Sequence, residues 1–208
     1  MTTPVPVEEM LALAVRLVNA NDLERARLLC EHADAVHPPH PGVNLMRAML
    51  ALRRGEAREA LEFAQASLAL RPDHLPALLV AADAAGAIAD AGAETALLER
   101  IVAVDPGRAD AWFRLALRRQ DAADFVGAAD ALHQVLHLDP TRADAELNLG
   151  IVLQDIGRFD EAFRAYGRAY RLREDTFGRI AHALATPNVG GLWLDLSDLR
   201  VALRAAQA

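Results

Sequence analysis

Four prolines set the frame of this chain. Pro38, Pro72, Pro106 and Pro140 stand 34 residues apart, and the next step falls on Glu174. The same step walks along small residues, Ala14, Ala48, Ala82, Ala116 and Gly150. A third series runs Ala26, Ala60, Glu94, Ala128 and Ala162. A period held in several registers confines the fold to an array of similar units, each burying its apolar face against its neighbours. The clearest unit, 143–173, carries Leu147, Leu149, Gly150 and Leu153, a turn at Gly157-Arg158-Phe159, then Ala162, Tyr166 and Ala169. Its apolar residues recur at helical spacing, which reads as two amphipathic helices packed back to back. Gly150 and Ala162 would let the backbones approach, and Phe159 and Tyr166 would fill the seam.

This reading predicts first helices near 8–20, 42–54, 76–88, 109–121 and 143–155, and second helices near 22–36, 57–70, 92–104, 125–138 and 159–173. Gly55 and Gly157 supply the left-handed residue that ends a first helix. The Asp-Pro pairs at 105–106 and 139–140 stop second helices, because the residue before proline is driven out of helical geometry. Pro38-Pro39-His40-Pro41 makes a stiff joint. After Arg173 the repeat stops. Phe177, Ile180, Ala181 and Leu184 predict one more helix, broken by Thr186-Pro187-Asn188-Val189-Gly190-Gly191. The apolar Leu192-Trp193-Leu194 follows, with Trp193 expected to pack. Asp195 or Ser197 is placed to cap a last helix through about Ala206.

The pattern resembles the tetratricopeptide repeat family, whose unit runs Trp-x2-Leu-Gly-x2-Tyr, then Ala-x3-Phe, then Pro. The fourth copy has Trp112-x2-Leu115-Ala116, then Phe125, Ala128, Leu132 and Pro140. The fifth has Leu149-Gly150-x2-Leu153 and Ala162-x3-Tyr166; the first has Leu13-Ala14-x2-Leu17, Ala26-x3-Cys30 and Pro38. Two copies depart from it. Arg47 replaces an apolar residue in the second, and Glu94 replaces a small one in the third. The resemblance implies an all-α, right-handed superhelical solenoid. Its array would cover 7–174 (repeats about 7–40, 41–74, 75–108, 109–142 and 143–176), with 175–208 as capping helices over the last open edge. The alternative for the last helix is a seat in the groove.

Composition narrows the function. The 208 residues carry a net charge of −7, and all 22 basic residues are arginine, spread along the chain. An acidic surface without a basic face argues against nucleic acid. The single cysteine, Cys30, cannot form an internal disulfide and falls on an apolar seam position, so a buried inert thiol is expected. The first residues lack a basic leader, and no segment is apolar enough to span a membrane, which makes a cytoplasmic location the expectation. There is no phosphate-binding glycine loop, no cysteine pair for zinc and no nucleophile elbow. His133 and His137 have the i, i+4 spacing of two metal ligands but no third partner. His37 and His40 read as surface residues, and Asp139, Asp144 and Glu146 as helix-capping carboxylates. No catalytic residue, cofactor or metal is expected.

In tetratricopeptide arrays the first helix of each unit lines a concave groove. By that resemblance the groove is formed by Leu11, Val15, Leu45, Met46, Met49, Leu79, Asp83, Phe113, Arg114, Leu117, Asn148 and Ile151, with Ala12, Val80 and Leu147 beside them. The set is mostly apolar, and its methionines would adapt to different side chains. The lysine-based carboxylate clamp of some family members has no counterpart here. The expected partner is therefore an apolar or amphipathic segment of another protein, held by a non-catalytic adaptor, with self-association as a further possibility. The alternatives that the resemblance offers are an accessory subunit of an enzyme, such as a glycosyl transferase or hydroxylase, or a chaperone-like secretion or assembly factor.

Overall fold

In the computed structural model, residues 5–185 and 196–206 are described, and all their regular structure is helical. Ten α-helices form five consecutive pairs. They are α1 (Val7–Asn19) with α2 (Leu23–Val36), α3 (Pro41–Arg53) with α4 (Ala57–Leu70), and α5 (Leu75–Ala87) with α6 (Ala91–Val104). Then come α7 (Ala109–Asp121) with α8 (Phe125–Leu138), and α9 (Ala143–Asp155) with α10 (Phe159–Leu172). Every boundary lies within one residue of the span expected from the repeat. A 3-10 turn at Glu174–Thr176 leads into α11 (Phe177–Leu184), and α12 spans Leu196–Ala205. The expected break at Thr186–Gly191, the packing of Trp193 and the Asp195 cap lie outside the described residues. Ser197 is already the second residue of α12 and so is not its N-cap.

The turn inside each pair follows one rule. Asn21, Gly55, Ala89, Ala123 and Gly157, again 34 apart, all have positive φ, between 58° and 80°. The backbone reverses there, and the next residue is the N-cap of the second helix. Asp22, Asp90 and Asp124 cap that helix by accepting from the N–H groups of Arg25, Ala93 and Gly127. The sequence displays the two glycines at this position and conceals the other three, because nothing in alanine marks a left-handed residue.

The contacts divide the chain into two compact units, residues 1–105 and 106–208. In the first unit, Met10, Ala14, Cys30 and Ala33 of the first pair share one buried cluster with Val43, Met46 and Leu50 of α3. Both departures from the repeat pattern have local answers. Arg47 lays its guanidinium over the Phe63 ring, 3.9 Å from its centre, and pairs with Asp34 at 2.6 Å. The aliphatic stem thus stays in the seam while the charge is satisfied at its edge. Glu94 is buried, and its carboxylate occupies the space beside Gly86, where a Cβ would sit 3.2 Å from Oε1. The small residue missing from α6 is supplied by α5 instead, and Ala81, Ala82, Ala85, Leu97, Leu98 and Ile101 are buried around it.

In the second unit one cluster runs from Ala116 to Leu203 and takes in both tail helices. Tyr166 is fully buried against Gly150, so close that a Cβ there would meet its ring at 2.4 Å. Phe159 does not share the seam. At the first position of α10 it lies beside the turn, and it is 49% exposed. Helix α12 packs on α10 rather than along a first helix of a pair. Gly167 meets the Leu203 carbonyl and Ala206 at distances that leave no room for a Cβ, and Arg171 Nη1 donates to the carbonyls of Leu203 and Ala206. Arg200 stacks over Phe177 at 4.3 Å, and Arg204 pairs with Glu174 at 2.9 Å.

An L-residue in the left-handed region costs roughly 1 kcal/mol relative to glycine. Ala89→Gly and Ala123→Gly should therefore each raise the stability of the protein by up to about 1 kcal/mol, read as a higher midpoint in urea unfolding with an unchanged slope. Gly55→Ala should lower it by a similar amount.

Candidate partner-binding face

The residues singled out as a groove all lie on the first helices of their pairs, spaced so that they share one face of each helix. In the first unit Val15 and Met49 are exposed, Leu11, Leu45 and Leu79 are half-buried, and Asp83 is exposed at the C-terminal half of α5. Met46 departs from the set. It is buried, because it points into the seam that α3 forms with the first pair. Ala12 is exposed but lines a cavity on the outer side of α1 and α2.

In the second unit Phe113, Arg114, Leu117 and Ile151 are half-buried. Phe113 has one ring face covered by the guanidinium of Arg142, 4.3 Å from its centre. That guanidinium is itself held between Asp110 at 2.7 Å and Asp144 at 3.1 Å. Asn148 is buried, and its side-chain amide donates to the Asp144 carbonyl one turn back in the same helix, at 2.8 Å. It is therefore not an open point for clamping a carboxylate. Leu147 is fully buried.

Ile151 has a setting that the repeat pattern did not disclose. It lines a cavity of about 500 Å³ between α9 and α11, with Gln154, Asp155, Gly178, Arg179, His182 and Ala183. A short polar strut fixes its walls. Tyr166 Oη donates to Gln154 Oε1 at 2.9 Å, and Gln154 Nε2 donates to the Ala183 carbonyl at 2.8 Å. The strut ties α10, α9 and α11 together, and burial pushes the Tyr166 hydroxyl well above its ordinary pKa, so it stays a donor. Partial burial also raises the Asp155 carboxyl. The cavity thus combines apolar lining with an acidic and a basic side chain, Asp155 and Arg179.

Chemically active groups do not converge elsewhere. His133 lines a crevice of about 160 Å³ with Glu161, Arg164 and Arg168, and His137 is exposed. Among the described residues no three His, Cys, Asp or Glu side chains are grouped to hold a metal ion. Cys30 is 2% exposed, and burial pushes its thiol up to about 11. Among the described residues two buried side-chain polar atoms lack a hydrogen-bond partner. Glu146 gives one oxygen to Arg168 at 2.6 Å and leaves Oε2 unmatched. His74 Nδ1 is unmatched because the position two residues on is Pro76, which has no N–H; at His40 the same nitrogen accepts from Gly42. No helix is long and apolar enough to cross a membrane among the described residues.

No protein-family model matches the sequence, and no curated protein matches it either. Solved structures do match. A MamA crystal structure superposes with a TM-score of 0.71 at 18% identity, covering 82% of this chain and 93% of its own. MamA of AMB-1 gives 0.71 at 21% identity over 81% and 92%. MamA from Desulfovibrio magneticus RS-1, residues 41 to the end, gives 0.67 at 18% over 81% and 96%. The chain has the MamA fold. At this identity the likeness establishes the all-α helical-repeat architecture and no more.

The strut makes a measurable prediction. Tyr166→Phe keeps the ring against Gly150 but removes the hydroxyl that donates to Gln154 Oε1, at a cost of roughly 1 kcal/mol. Urea unfolding should show that loss, and hydrogen exchange should show faster opening of α11 than of α8.

Proposed function

We propose that this protein is a non-catalytic scaffold whose first-helix face binds an apolar or amphipathic segment of another protein. The observation that carries the reading is that partly exposed apolar side chains recur on one face of the first helices in each unit, Leu11, Val15, Leu45, Met49 and Leu79 in the first and Leu117 and Ile151 in the second. Large apolar groups repeated on one face, rimmed by polar ones, are the mark of a surface that takes a partner. The cavity beside Ile151 gives the first-helix face of the second unit an anchoring point, sized for one large apolar side chain with a polar neighbour against Asp155 or Arg179.

We further read residues 7–174 as the repeat array and 175–208 as its cap. The burial of Leu199 and Leu203 against α10 supports this, since it covers the edge that a further pair would otherwise cover. The MamA likeness supports the scaffold reading only through the fold.

Site-specific photo-crosslinking tests this reading. A crosslinker at Val15, Met49 or Ile151 should capture partner in host cells, whereas one at Leu28 or Val126, exposed on second helices, should not. The double variant Met49→Glu/Ile151→Glu should lose capture by at least tenfold while its helical circular dichroism persists, a size expected when charges enter an apolar binding core. Equal capture from both faces, or capture unchanged in the double variant, would refute it.

A further inference from the structure

The outer side of the first helix pair carries a second apolar surface, away from the face just described. A cavity of about 550 Å³ lies there between α1 and α2, lined by Ala12, Leu13, Leu29 and Val36 together with the charged Glu9 and Arg16. Leu13 and Val36 are both 42% exposed, and no described residue covers them. The repeat says what this surface is. One period on from Glu9, Ala12, Leu13 and Arg16 stand Val43, Met46, Arg47 and Leu50, the residues by which α3 packs on the pair before it. Val43, Met46 and Leu50 are buried in that contact, and Arg47 reaches across it to Asp34. The cavity is thus the open copy of a helix-packing seam that the chain closes within itself one unit later.

Its charges select the occupant. In α3 this line begins and ends in the apolar Val43 and Leu50, but in α1 it begins in an acid and ends in a base. Glu9 and Arg16 are two helical turns apart, placed symmetrically about Ala12–Leu13, and neither has an ion-pair partner among the described residues. A helix with an acid and a base equally far from its midpoint is complementary to itself when antiparallel. We propose that this surface is a self-association site, in which a second copy of the chain packs α1 against α1 about a two-fold axis through Ala12–Leu13. Glu9 of each copy then faces Arg16 of the other, Ala12 permits close approach of the two backbones, and Leu13 of each copy enters the cavity of its mate.

Sedimentation equilibrium of the full chain tests the arrangement. The wild type should dimerise with rising concentration. Glu9→Arg and Arg16→Glu should each weaken the dimer by about tenfold or more, because each sets like charges opposite twice. Both positions are exposed, so circular dichroism should be unchanged in each variant. An equimolar mixture of the two single variants should recover wild-type association, since every cross-pair is again acid against base. The Met49→Glu/Ile151→Glu variant, which disables the first-helix face, should dimerise like the wild type, which separates failure of this proposal from failure of the scaffold reading. A wild type that stays monomeric, single variants that dimerise normally, or a mixture that fails to recover would each overturn it.

Discussion

Close approach of paired helices through small residues is the contact on which this molecule rests. Ala14, Ala48, Ala82, Ala116 and Gly150 on the first helices are buried, as are Ala26, Ala60, Ala128 and Ala162 on the second. With no side chain to hold them apart, the backbones come near enough for the larger residues on either side to interlock. Where one partner of the small pair is lost, the other helix must give way. Glu94 is tolerated only because Gly86 stands opposite, and Tyr166 fits only because position 150 has no Cβ. An alanine at 150 would push the ring and the strut it carries, and with them the wall of the cavity at Ile151.

That dependence explains what could be read from the sequence. Helix spans, turns and the stop after Arg173 are local properties, set by spacing, by proline and by small residues, and repetition amplified each of them. The candidate face was legible only in outline. Val15, Met49 and Ile151 lie at the surface, but Met46 and Asn148 lie inside. The difference turns on a few tens of degrees of helix rotation, which a one-dimensional period does not resolve. Phe159 misled for a related reason: aromatic residues belong to the seam in general, yet the first residue of a helix sits at its rim. The cavity beside Ile151 was out of reach altogether, because one of its walls is α11, a helix for which the repeat has no matching second partner.

Arginine does more here than carry charge. With no lysine in the chain, each basic side chain of this kind is a flat guanidinium, and among the described residues four of them lie over aromatic rings, Arg47 on Phe63, Arg142 on Phe113, Arg200 on Phe177 and Arg204 on Tyr170. Each stack sits at a junction between helices: Arg47 joins α3 to α4, Arg142 joins the start of α9 to α7, Arg200 joins α12 to α11, and Arg204 joins α12 to α10. A point charge would hold such a junction only through its salt bridge, whereas a stacked guanidinium also covers apolar surface and so keeps part of its contribution when salt screens the pair.

The placement of α12 has a consequence for how such a chain can change length. The internal seams of each unit reuse equivalent positions, so a 34-residue pair could be gained or lost between two others with no new surface to invent. The tail has no such freedom. Its contacts are to Gly167, Tyr170, Arg171 and Phe177, and the close approach at Gly167 suits one particular second helix. A pair inserted between α10 and the tail would break this contact, so α10, α11 and α12 act as one closing block.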